Sequence, residues 1–273
     1  MSTEQTIKDA IDTLLRARPG FWSRTACGVT RSMGQIPALI DRNAYSVETS
    51  RIRILLVGGL SGHNADVDMA LHALELFAGG GDALSLRIAL SAVPCANPDG
   101  LRLNVAPSNG AGGNPSGVYP PEGKFYYDPE DPEKRYLWRW ICFQAPDLVL
   151  ELHSGGSLQW EVNQAGQALA PGLAAKTVTG DQGLLAALGT GHPDGLGTIP
   201  GIRLTANDEQ LPRELSRLFS MLRQLDLLTT SDARKSLDIR RNRSKVEIAN
   251  VLAMAYGRTF EPIVYTQGVP ISG

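Results

Sequence analysis

The chain has 273 residues, enough for one α/β domain with a sizeable core and an extra segment. Lys plus Arg (26) nearly balance Asp plus Glu (28), which speaks against a broad basic face for nucleic acid or an anionic membrane and leaves small partners favoured. Cys27, Cys95 and Cys142 are widely spaced and contain no C-x-x-C pair, so neither a disulfide framework nor a zinc ribbon is expected. No run approaches the ~18 apolar residues of a membrane span. The acidic N-terminus lacks a secretory pattern. A cytoplasmic protein with no membrane or nucleic-acid partner is the expectation from these features.

Ile7, Ala10, Ile11, Leu14 and Leu15 recur at helical spacing, and Pro19-Gly20 ends that helix. "IPALI" (36–40) reads as an early strand. "IRILLVGG" (52–59) is a continuous apolar run of the kind found in a central strand covered on both faces. Residues 66–77 place Val67, Ala70, Leu71, Leu74 and Phe77 on one helical face. "SLRIALSAVP" repeats the strand signal and runs into "CANPDG", a cluster of turn formers. From Leu101 to Asp131 the chain is rich in Gly, Pro and Asn, which predicts a long functional loop.

"PEKRYLWRWICFQ" predicts a helix stopped by Pro146, "DLVLELH" a buried strand, "IPGIRLTAN" a short strand, and "LPRELSRLFSMLRQLDLL" a helix with Leu215, Leu218, Leu222 and Leu225 on one face. "SKVE" at 244–247 is a capping box that opens another helix. The alternation predicts an α/β fold: a mostly parallel mixed sheet with helices on both faces. Residues 1–230 form that domain, and 231–273 read as a C-terminal appendage or the start of a further segment.

Four landmarks in order, "VGGLSGHN", "PCANPDG", "LVLELHSGG" and "GTIPGIRLT", resemble the zinc carboxypeptidase family, the carboxypeptidase A-like metallopeptidases and related amidohydrolases. The resemblance spans roughly Gly28 to Leu228. It implies a carboxypeptidase-like fold, a bound zinc, and hydrolysis of a chain-terminal peptide or amide bond. Such a site needs three protein ligands and an open position for water, with a carboxylate to move protons.

Carried over residue by residue, the family's Gly-Gly-x-His-Gly-x-Glu puts its His on Ser61 and its Glu on Asn64. The last ligand falls on His153, the catalytic Glu on Asn207 just ahead of Asp208 and Glu209, and the substrate-binding Asn-Arg pair on Asn114 and Pro115. The metal site therefore reads as degenerate, leaving a binding or scaffold role around His153 and the 101–131 loop, with a small peptide-like or acylated amino-acid ligand.

The alternative is an active hydrolase with a shifted zinc site. His63, Asp66 and His153 would be the ligands, Asp208 or Glu209 the proton carrier, and Asn114 and Arg102 the substrate-binding residues. Glu151 shares a strand face with His153 and, if buried, needs a cationic partner; Arg102 and Arg203 are the candidates. Tyr119, Tyr126 or Tyr127 could gate the ligand.

Overall fold

A computed structural model describes residues 3–41, 51–119, 130–144, 146–179, 183–190, 198–224, 264–266 and 269–271. Helix α1 (Thr3–Ala17) buries Ile7, Ile11 and Leu14, the face its spacing predicts. After a turn at Gly20 (φ 84°), strand β1 (Trp22–Val29) pairs antiparallel with β2 (Gln35–Asp41). Strands β3 (Ile52–Val57) and β4 (Ile88–Val93) are buried at all six positions each, as continuous apolar runs in mid-sheet should be. Between them lie α2 (Asn64–Gly79) and the short α3 (Asp82–Ser85).

The chain continues through α4 (Pro98–Leu103), α5 (Pro132–Gln144), β5 (Leu148–Ser154), β6 (Gln159–Val162), α6 (Ala170–Leu173), β7 (Lys176–Thr177), α7 (Gly183–Thr190), β8 (Gly201–Ala206) and α8 (Leu211–Gln224). A separate hairpin joins β9 (Val264–Thr266) to β10 (Val269–Ile271). The "SKVE" helix lies outside the described residues. Among the described residues no helix is long and apolar enough to cross a membrane.

Eight strands form one mixed sheet in the order β1-β2-β4-β3-β5-β8-β6-β7. The centre is parallel: β4 with β3, β3 with β5, and β5 with β8. Antiparallel pairs flank it, and β6 with β7 is again parallel. Alternation along β3 divides the core in two. Ile54 and Leu56 join α1, α2 and α8 on one face, whereas Leu55 and Val57 meet α5 and α7 on the other. Trp160 on β6 anchors α8 by donating its indole N–H to the buried Glu214 at 2.9 Å.

The long loop expected from Leu101 is corrected at its start, where Leu101–Leu103 complete α4, and residues 120–129 lie outside the described residues. The strands absent from the sequence reading, β1, β6 and β7, all lie in the outer parts of the sheet.

Gly58, just after β3, sits where α2 crosses the sheet. A Cβ there would lie 2.3 Å from Ala70 Cβ and 3.0 Å from the Pro94 carbonyl, so helix and backbone would both have to shift. Gly58→Ala is expected to cost about 1–3 kcal/mol by overpacking, read by chemical denaturation.

Candidate functional site

The parallel strands β3, β4, β5 and β8 end on the same side of the sheet, and the turns that follow them build the site. The turns after β3 and β4 are stitched together. Ala96 N–H donates to Gly58 O (3.0 Å) and Asn97 N–H to Gly59 O (3.1 Å). Gly62 takes φ +77°, and a Cβ there would meet Asn97 Nδ2 at 3.0 Å.

Asn97 is fully buried and caps α4. Its Oδ1 accepts from Gly100 N–H (2.9 Å), while its Nδ2 donates to the Pro107 and Ser108 carbonyls. Asp99 accepts from Ser32 N–H (3.1 Å), Ser32 Oγ and Arg102 Nη2 (3.2 Å), tying the β1–β2 turn to α4. The Asn-Pro-Asp-Gly landmark is thus a clamp between turns. Asn97→Ala is expected to cost about 1–2 kcal/mol through the lost cap, measured as a lower denaturation midpoint.

His153, near the end of β5, lies between two carboxylates. Its Nε2 is 2.7 Å from Glu151 Oε1 and its Nδ1 is 3.5 Å from Asp66 Oδ2. Asp66, in the first turn of α2, also accepts from Ser61 Oγ and, at 2.7 Å, from Ser154 N–H. Glu151 extends the chain to Arg203 (3.1 Å), which also binds Glu161 (3.1 Å).

Strand register explains this row. Arg203 on β8 sits opposite Glu151 of β5 on one side and Glu161 of β6 on the other. Of the two cations considered for Glu151, Arg203 is the partner. Arg102 is corrected to Asp99 and Ser32.

Burial alone would lower the His153 pKa, but the hydrogen bonds and charges of Asp66 and Glu151 overcome it and push it up to about 9. Burial would raise both carboxyls; His153, Ser61 and Ser154 hold Asp66 below its ordinary range, and His153 with Arg203 does the same for Glu151. The two carboxylates therefore favour the protonated ring, with Nε2 hydrogen-bonded to Glu151 and Nδ1 in a longer ion-pair contact with Asp66.

The other candidates are dispersed. His63 is exposed, is the N-cap residue of α2, and makes no side-chain cap bond. It shares with Asp66, Asn64, Asn104 and Ser154 the lining of an open cavity of about 380 Å³ at the helix start. Asp208 and Glu209 are exposed in the turn between β8 and α8 and make no hydrogen bond or ion pair among the described residues. Asp208 instead joins burial in raising the carboxyl of Asp68.

Asn114 is exposed, its Oδ1 accepting from Ser116 N–H (3.2 Å) and Oγ (2.8 Å). Tyr119 is buried and donates to Pro115 O at 3.0 Å, which fits packing rather than gating; Tyr126 and Tyr127 lie outside the described residues. Among the described residues no three His, Cys, Asp or Glu side chains are grouped to hold a metal ion. Glu161 was not singled out from sequence, because its role depends on the pairing of β6 with β8.

No protein-family model and no curated protein sequence matches the chain. Solved structures do. A metallo-carboxypeptidase from Burkholderia cenocepacia superposes with TM-score 0.61 at 13% identity, covering 84% of this chain and 70% of that one. A metallo-carboxypeptidase from Pseudomonas aeruginosa gives 0.60 at 13% over 84% and 70%. Carboxypeptidase A from Helicoverpa armigera gives 0.55 at 14% over 84% and 74%. The mixed sheet and its helices agree with these neighbours, and the chain has the fold of the metallo-carboxypeptidases.

Proposed function

We propose that the chain is a binding protein on a metallo-carboxypeptidase fold, whose sheet-end site is held by a proton on His153 rather than by zinc. The observation that carries this is the Asp66–His153–Glu151 row. Zinc takes deprotonated ligands, whereas here His153 Nε2 is hydrogen-bonded to Glu151 at 2.7 Å and Nδ1 faces Asp66 at 3.5 Å, so a metal would have to displace a proton and one of these carboxylate contacts. The donors at the family's other two ligand positions, Ser61 and Asn64, are neutral oxygen and amide groups, a poor set for zinc. That donor set fits zinc poorly, and this reading assigns no hydrolytic step to it.

The cavity beside the row suits a small peptide-like or acylated amino-acid ligand. Asn64 and Asn104 offer hydrogen bonds to its amide, and the first N–H groups of α2 favour a carboxylate. The test is metal content by mass spectrometry on protein purified without chelator, for wild type and His153→Ala. The proposal expects no stoichiometric zinc in either; one zinc per chain, lost on His153→Ala, would overturn it.

One observation supports the alternative, an active hydrolase of chain-terminal amide bonds. Asp66 and His153 already adjoin, and His63 borders the same cavity as Asp66. In that reading His63, Asp66 and His153 would hold zinc, which would activate the attacking water, Asp208 or Glu209 would carry protons, and Asn114 and Arg102 would contact the substrate. It requires stoichiometric zinc that disappears in His63→Ala; retention of zinc in that variant would sink it.

A further inference from the structure

A second cavity, of about 290 Å³, lies between α1, the β1–β2 hairpin and α4. Its apolar floor is Ile7, Ile11 and Leu101, each less than a tenth exposed. Three cations, Lys8, Arg24 and Arg102, line it against one carboxylate, Asp99.

That carboxylate is already engaged by Ser32 and Arg102, so it offers little to a cationic guest. Arg24 pairs with the half-buried Asp12 at 2.9 Å, outside the cavity lining. Lys8 makes no ion pair among the described residues, nor do the side chains of Thr25 and Gln35, which also line the cavity, make hydrogen bonds there. An apolar floor with a few uncommitted polar groups is the usual makeup of a small-ligand pocket, and this volume sits at the small end of their range, roughly 300 Å³; the cations in the lining favour an anionic guest.

We infer that this cavity binds a small amphiphilic anion, an acidic head group on an apolar body. The head group meets Lys8, with Arg24 and Arg102 adding field, and the body covers Ile7, Ile11 and Leu101. Leu101 also lines the cavity at the start of α2, so α4 is the wall between the two. The inference stands on the cavity's own lining and is independent of whether the sheet-end site holds zinc or a proton.

Isothermal titration calorimetry of the full chain with octanoate, octyl phosphate and uncharged octan-1-ol tests it. Saturable binding of at least one of the two anions, one per chain, is expected, and which of them binds tighter identifies the head group. The alcohol should bind more weakly. The surface variants Lys8→Glu and Arg24→Glu, with melting profiles checked against wild type, should each weaken the anion roughly fivefold or more. Absence of saturable binding by both anions, equal affinity for the alcohol, or unchanged affinity in both variants would overturn the inference.

Discussion

Replacing Glu151 with alanine is expected to lower folding stability by about 3–5 kcal/mol, the largest effect of any single change in the site. Glu151 is 2% exposed and holds two cationic partners, His153 at 2.7 Å and Arg203 at 3.1 Å. Removing it leaves part of their charge uncompensated beside a packed sheet, and a cavity as well. Arg203 keeps Glu161 and His153 keeps Asp66, so the loss should fall short of global unfolding. Glu151→Gln preserves the shape and one acceptor and should cost less than half as much. Urea denaturation of both variants checks the ordering. If Glu151→Ala proved as stable as wild type, the row would not be a structural element at all.

Stability should also fall as the solution is made alkaline, with a defined origin. The His153 pKa is raised from 6.5 in the unfolded chain to about 9 in the fold. Its contribution is therefore complete below pH 6.5, declines as pH rises through about 9, and is gone above that. A shift of that size corresponds to about 3 kcal/mol, and it is the same interaction seen from the carboxylates rather than an addition to it. Asp66 and Glu151 are shifted the other way. Their contribution is present above the ordinary carboxylate range and is lost as pH falls through their lowered values. Stability from this row should therefore be greatest between roughly pH 5 and 6.5. His153→Asn should flatten the alkaline limb while lowering stability at pH 6. Equal slopes in wild type and variant between pH 6 and 9.5 would contradict the assignment.

Much of the central fold was readable in the sequence, because β3, β4 and β5 are predominantly apolar runs, and α1, α2 and α8 carry helical periodicity. Strands β1, β6 and β7 were not. β1 ("WSRTACGV") is a partly exposed edge strand with a register shift between Ala26 and Gly28, and β6 and β7 are only four and two residues long. None of these shows a clean period.

The site was legible in part for the same reason. His153 and Glu151 follow from their alternation on one strand, and Arg203 was one of two cations that could reach. Choosing between Arg203 and Arg102 needs the β5–β8 register, and Glu161 needs β6 to be recognised as a strand. That Ser61 would hold Asp66 against His153 depends on the path of the Gly59–Gly62 turn, whose positive φ angles at both glycines redirect the chain before α2. Residue spacing alone offered His63 and Asp66 as a shifted metal-binding pair. In the fold they share a cavity lining, but only Asp66 faces the imidazole.

The central claim is that a proton on His153 takes the place of a metal, and nitrogen-detected NMR of the histidine side chains tests it most directly. With His153 assigned through His153→Asn, both ring nitrogens should carry protons at pH 7, lose one near pH 9, and stay unchanged when equimolar zinc is added. A neutral ring at pH 7, or an Nδ1 or Nε2 resonance that moves to a metal-bound position with one equivalent of zinc, would contradict the account and restore the hydrolase reading.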